Sequence, residues 1–227
     1  MIDFEDFYRR FDDPITALDC GTRCAPYNEY GVPFCCDTRH AVPTAYDAEW
    51  AYLSANTQLW HVYVPDSQAH AVELRRQLPD GQVLVECLGH RHCERNFRTL
   101  VCRSFPFFPY LTREREFIGL AYYWEYEDRC WLISNLQLVS QAYRSEFLDA
   151  YEQLFREFPE ERENFRQFSI LMRRVFGRRM RAITLLHKNG CYYKISPHNG
   201  RLRRVLPDCL PKFSAYRIAA AMPFPDE

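Results

Sequence analysis

The chain has 227 residues, of which 47% are hydrophobic and 26% charged, with 29 Lys and Arg against 30 Asp and Glu for a formal charge of −1. That balance excludes a disordered polyelectrolyte, and no stretch nears the ~18 consecutive apolar residues of a membrane span. Ten residues are cysteine, which is too many to pass over in a chain long enough to fold on its hydrophobic core alone.

The first residues, MIDFEDFYRRFDDP, carry acids from position 3 and lack the basic start and apolar run of a secretory signal. A cytoplasmic location is therefore expected. There, structural disulfides are rare, and grouped cysteines more often hold metal or do redox chemistry. The segment 19–37, DCGTRCAPYNEYGVPFCCD, is loop by composition and contains Cys20, Cys24, Cys35 and Cys36. After Pro43, Thr44 is placed to cap a helix through AYDAEWAYLSAN, with Asp47 as the acid of a capping box and Trp50 and Leu53 on one buried face.

LWHVYV (59–64) and QVLVECL (82–88) read as strands, the second entered through a Pro79-Asp80-Gly81 turn and leading straight to Cys87. FIGLAYYW (117–124) is a buried apolar run compatible with strand or helix. From Ser145, Phe147, Leu148, Tyr151, Leu154, Phe155 and Phe158 recur at helical spacing. A second amphipathic helix, Arg162 to Phe176, turns Phe165, Phe168, Met172, Val175 and Phe176 inward and meets Gly177 as its stop signal. AITLLHK and CYYKI flank Asn189-Gly190, a strong hairpin signal, and RLRRVL follows across SPHNG.

The fold expected is α+β: a cysteine-rich metal-binding core, amphipathic helices and a small C-terminal antiparallel sheet. The expected division is a cysteine-cluster domain over 1–135 and a helical segment with a β-hairpin region over 136–227, packed on the first part. Charge divides too: residues 171–227 hold 12 Lys and Arg against 3 Asp and Glu, and the first 170 hold 17 against 27. The resulting +9 and −10 sum to −1. Such a basic end suits an acidic partner, an acidic surface of the same chain, or a solvated face; nucleic-acid binding is not expected.

Soft thiolates suit zinc and iron–sulfur clusters. Cys20-x3-Cys24-x10-Cys35-Cys36 supplies four donors, although the adjacent pair can serve one site or face two. Cys87-x5-Cys93-x8-Cys102 supplies three more, with Cys130 as the nearest fourth. His90 and His92 lie between Cys87 and Cys93 as alternative ligands, and Arg98 and Arg103 are placed either to offset thiolate charge or to sit on the surface. Cys191 and Cys209 read as packing residues outside the sites.

The CC at 35–36, followed by CLGHRHCERNFRTLVCRSFP (87–106), resembles the YkgJ-type cysteine-cluster proteins, a zinc- or iron-chelating family named for a CxxCxxCC motif. The resemblance spans roughly residues 18–132. Its most specific element is VCRSFPF, in which Cys102, Arg103, Phe105 and Pro106 stand where the family has C-R-x-F/Y-P. The ten residues between Cys24 and Cys35 exceed the family's usual spacing, and Arg98-Thr99 replaces a common Arg-Pro. The resemblance implies a metal ion or cluster, [4Fe–4S] or Zn, held by Cys20, Cys24, Cys35, Cys36, Cys87, Cys93, Cys102 and Cys130. A related branch, the flagellin lysine methylases, is associated with an iron–sulfur cluster. No glycine-rich cofactor loop is present here to place S-adenosylmethionine, so that activity is not carried over.

The aromatic stretch Phe105-Pro106-Phe107-Phe108-Pro109 reads first as core and second as a dry wall beside Cys102. Asp37, His40, Glu86, Glu94, Glu127 and Asp128 are the polar candidates near the cysteines, and none forms a recognised catalytic signature. Whether the chain is an enzyme stays open at this level, as does a structural or interaction role with zinc holding the loops.

Overall fold

A computed structural model describes residues 2–216; the last part of the basic segment, 217–227, lies outside the described residues. The chain is α+β, with seven α-helices and two antiparallel sheets in the described range. Two short helices open it. Helix α1 (Phe4–Arg10) starts where the Asp3 carboxylate accepts the N–H of Glu5, and α2 (Cys20–Cys24) starts where Asp19 accepts that of Gly21.

Strand β1 (Thr44–Tyr46), helix α3 (Asp47–Asn56), strand β2 (Trp60–Val62), helix α4 (Gln68–Gln77) and strand β3 (Gln82–Cys87) follow. The first sheet runs β1-β3-β2, with Ala45 opposite Val83 and Trp60 opposite Cys87. Thr44 is therefore not a helix cap. It pairs with Leu84, and the helix begins three residues later, where Glu49 accepts the N–H of Tyr46 at 3.1 Å. Leu53 is fully buried as expected, but Trp50 is half-buried, and the second fully buried position is Glu49.

Helix α5 (Leu100–Ser104) leads into β4 (Phe107–Leu111) and β5 (Phe117–Tyr122), then α6 (Gln141–Glu157), α7 (Pro159–Arg178), β6 (Ile183–His187), β7 (Tyr192–Ile195) and β8 (Leu202–Val205). The second sheet has five strands in the order β4-β5-β6-β7-β8. The small C-terminal sheet of expectation is thus the larger part of a sheet that also draws two strands from before α6. The ambiguous run at 117–124 is strand through Tyr122. It lacks polar alternation because both faces are covered: Phe107, Leu120, Tyr122 and Leu186 face the core beneath α6, while Phe108, Ile118, Ala121 and Leu185 face Met172 and Phe176 of α7.

Helix α6 begins four residues before the expected Ser145, at a Ser140 cap whose Oγ accepts the N–H of Tyr143 at 3.0 Å. Gly177 does not stop α7. The chain turns at Met180, whose φ is +51°, and the N–H of Arg181 closes on the carbonyl of Phe176 at 3.0 Å. Of the basic residues in the terminal segment, Arg201, Arg203 and Arg204 stand exposed on or beside edge strand β8. No helix among the described residues is long and apolar enough to cross a membrane.

Candidate metal centre

Six places in the chain carry the eight candidate cysteines. Cys20 and Cys24 stand one turn apart on α2, where Cys24 is buried and its Sγ donates to the carbonyl of Gly21 at 3.6 Å. Cys35 and Cys36 lie on the single 3₁₀ turn Phe34–Cys36, with their sulfurs 3.9 Å apart. The chain beyond them is pinned by Asp37, which is 4% exposed and accepts from Asn28 Nδ2 at 3.0 Å and from the Arg39 guanidinium at 2.7 and 2.9 Å.

Cys87 closes β3, and Cys93 follows a turn formed by His90–His92. Cys102 is held on α5 by Thr99, whose Oγ1 accepts the Cys102 N–H at 3.2 Å. Cys130 precedes the turn Trp131–Ser134, its N–H donating to the carbonyl of Tyr126 at 2.8 Å. All ten cysteines are free thiols, including Cys191 just before β7 and the exposed Cys209.

The eight thiols lie within electrostatic reach of one another as a connected set. Cys36 bears on Cys20, Cys24, Cys35, Cys87 and Cys102; Cys130 feels Cys20 and Cys24; Cys87 feels Cys93. Burial pushes Cys20 up to about 11 and Cys102 up to about 12, and raises Cys24, Cys87 and Cys130 as well. In the adjacent pair the sulfur–sulfur hydrogen bond raises Cys35 and lowers Cys36, so Cys36 is the thiol that ionises first.

Arg98 Nε donates to Cys93 Sγ at 3.1 Å, and its charge also reaches Cys20, Cys36 and Cys102. Arg103 does something else. Only 8% exposed, it donates to the carbonyls of Tyr8, Phe11, Arg95, Asn96 and Arg98 and stacks 4.3 Å above the Tyr8 ring. It braces α1 against the 95–98 turn, and is neither a surface cation nor a partner of the sulfurs.

The donor chemistry fits a thiophilic metal: eight sulfurs, one buried and seven half-buried, with a guanidinium among them. Their positions are gathered short of ligation, since among the described residues no three Cys, His, Asp or Glu side chains stand close enough to hold one ion. His92 is exposed and His90 half-buried on the turn before Cys93. Glu127 is committed elsewhere. It is 8% exposed and accepts both arms of Arg181 at 2.8 and 2.9 Å and the Tyr122 hydroxyl at 3.1 Å. Glu86 accepts from Thr38 Oγ1 at 3.1 Å, whereas Glu94 and Asp128 are exposed.

Two residues central to this region carry no signal in the sequence. Glu49, fully buried, accepts from the Tyr8 hydroxyl, from the Leu100 N–H at 2.6 Å and from Tyr46, joining α1, α3 and the start of the Cys102 helix. Tyr216 is 2% exposed and donates to the Arg129 carbonyl at 2.9 Å beside Cys130. A lone acid on a helix and a lone tyrosine near the chain end have no spacing from which such roles could be read.

No family model, no curated protein and no solved structure matches this chain.

Proposed function

We propose that this protein is a metal-binding cysteine-cluster protein whose thiolates hold an iron–sulfur cluster or zinc. One observation carries the reading: eight of the ten cysteines, from six places in the chain, form a connected set within electrostatic reach of one another, with Arg98 reaching Cys20, Cys36, Cys93 and Cys102. Burial and mutual repulsion keep bare thiols protonated there. A bound cation reverses that balance by supplying the countercharge that deprotonated sulfur needs. The resemblance of Cys35-Cys36 and of 87–106 to the YkgJ-type proteins points the same way. Four thiolates around Zn²⁺ leave two negative charges, and Arg98 offsets part of them.

Anaerobic purification of the full chain, with analysis of iron, sulfide and zinc and a visible absorption spectrum, tests the reading. Metal is expected in whole-number ratio to protein, accompanied by visible absorbance and sulfide for a cluster and by neither for zinc. Cys102→Ser should lower the metal content and Cys191→Ser should not. A wild-type protein free of metal after anaerobic preparation and reconstitution would refute it.

A further inference from the structure

We infer that edge strand β8 is a docking surface for an extended acidic peptide, one that alternates acidic with apolar residues and adds to the five-stranded sheet as a sixth, antiparallel strand. The two edges of that sheet are finished differently. Strand β4 is closed: it is buried along its length, Pro109 lacks a donor, and the N–H of Leu111 is taken by Ser169 Oγ of α7 at 3.0 Å. Strand β8 has no such cover, and Arg201, Leu202, Arg203 and Arg204 all stand exposed.

The backbone of β8 offers the bonds. The N–H of Ser196 donates to the Arg201 carbonyl at 3.0 Å, which fixes the phase of the β7–β8 ladder. Bonded and non-bonded pairs alternate along an antiparallel ladder, so Arg203 and Val205 also turn their backbone groups toward β7, opposite Lys194 and Tyr192. The N–H and C=O groups of Leu202 and Arg204 therefore point away from the sheet, and among the described residues no strand lies beyond them. Unpaired edge groups of this kind are what an added strand bonds.

The side chains define the occupant. Lys194 and Arg203 are directly opposite one another in register, a like-charged cross-strand pair that weakens the sheet until an anion joins it. Arg201 falls on the same face by the two-residue period of a strand. Among the described residues none of Lys194, Arg201, Arg203 and Arg204 stands in an ion pair. Asp208 is the one acid between 183 and 216. The opposite face presents Leu202 and, just past the strand, Leu206, 39% and 68% exposed, with Arg204 between them. A strand with acids on one face and apolar side chains on the other complements both. Cations on an edge also keep copies of a chain apart, and the two roles agree here: β8 repels a second β8 and attracts an acidic strand.

A fluorescein-labelled peptide alternating Glu and Val, titrated with the full-length chain and followed by fluorescence anisotropy, tests this. Saturable one-to-one binding is expected, weakening as salt rises. Arg203→Glu should raise the Kd by roughly tenfold or more, and a peptide alternating Lys and Val should not bind the wild type. With its acids on the Arg203 face, the peptide places its valines opposite Leu202 and Arg204, so the valine amides are the ones that bond the edge. N-methylation of the valines should therefore abolish binding, and N-methylation of the glutamates should leave it intact. Binding that survives methylation of the valines would overturn strand addition in favour of a charged patch. No saturable binding of the unmodified peptide would overturn the docking surface itself. A single-stranded oligonucleotide that binds more tightly than the peptide at the same salt would overturn it in favour of nucleic acid. Should circular dichroism show Arg203→Glu unfolded, Arg201→Glu, outside the ladder, interrogates the same row of charge, and the methylated peptides need no variant.

Discussion

Asp37 shows at the scale of one residue how the cysteine pair is presented. A carboxylate that is 4% exposed is costly unless its oxygens are satisfied, and here four donors converge on it: Asn28 Nδ2, and Arg39 through its backbone N–H, Nε and Nη2. The Arg39 hydrogen bonds, aided by Asn28, hold its pKa at about 2. A folded value depressed below the ordinary ~3.9 means that its stabilisation is fully present above that pH and is lost as pH falls through about 2. Because Arg39 is half-exposed, solvent screens much of the pair. Asp37→Asn should therefore lower the melting temperature modestly at neutral pH and flatten its decline between about pH 4 and pH 2. Thermal unfolding followed by circular dichroism across that range decides it, and identical acid-side slopes in the two proteins would count against the depressed carboxylate.

Strand β5 makes the same point one level up, because its position in the sheet rests on an atom that is absent. A Cβ on Gly119, whose φ is +152°, would lie 2.2 Å from the carbonyl oxygen of Leu186 and 2.8 Å from the Cα of His187, both on the paired strand β6. Backbone cannot yield as a flexible side chain can, so Gly119→Ala should prise β5 from β6 and destabilise the protein by roughly 3 kcal/mol. Urea unfolding measures this, and an unchanged midpoint would show that the strands separate without penalty.

What the sequence makes legible follows from how local each cause is. The inward faces of α6 and α7 are read from helical spacing, and Asn189-Gly190 marks the β6–β7 hairpin, because each signal lies within a few residues of its effect. Thr44 misleads because pairing with Leu84 on β3 outweighs its preference for a cap. Gly177 misleads because Phe176 is fully buried and its carbonyl is closed from Arg181, so the helix continues past the glycine. The eight candidate cysteines are legible as residue types in loop-rich stretches. Their neighbours are not, since Tyr216 and Arg129 meet across 87 positions and no spacing rule reaches so far.

Across the whole molecule, the five-stranded sheet decides whether the cysteine-bearing stretch can stand alone. Strand β5 lies between β4 and β6, and β6 falls beyond residue 180, so a chain ending at 135 leaves one edge of β5 unpaired. It also leaves the bidentate Glu127–Arg181 pair broken and Glu127 without its cation. The hydroxyls of Tyr143 and Tyr151 on α6, which bond to Ser104 at 3.0 and 2.9 Å, would be gone from the end of the Cys102 helix. Phe107, Leu120 and Tyr122, all fully buried in the intact chain, would face water. An open, apolar sheet edge recruits other copies. Residues 1–135 expressed alone should therefore aggregate, whereas the intact metal-loaded chain should lose far-UV ellipticity and its bound metal in one cooperative transition. Size-exclusion chromatography of the fragment, together with heating of the full chain in the presence of a metal-release dye, tests both halves of this expectation. A monomeric fragment that keeps its metal would show that the sheet merely accompanies the cysteine region, while metal release well ahead of unfolding would show that the centre and the sheet melt as separate units.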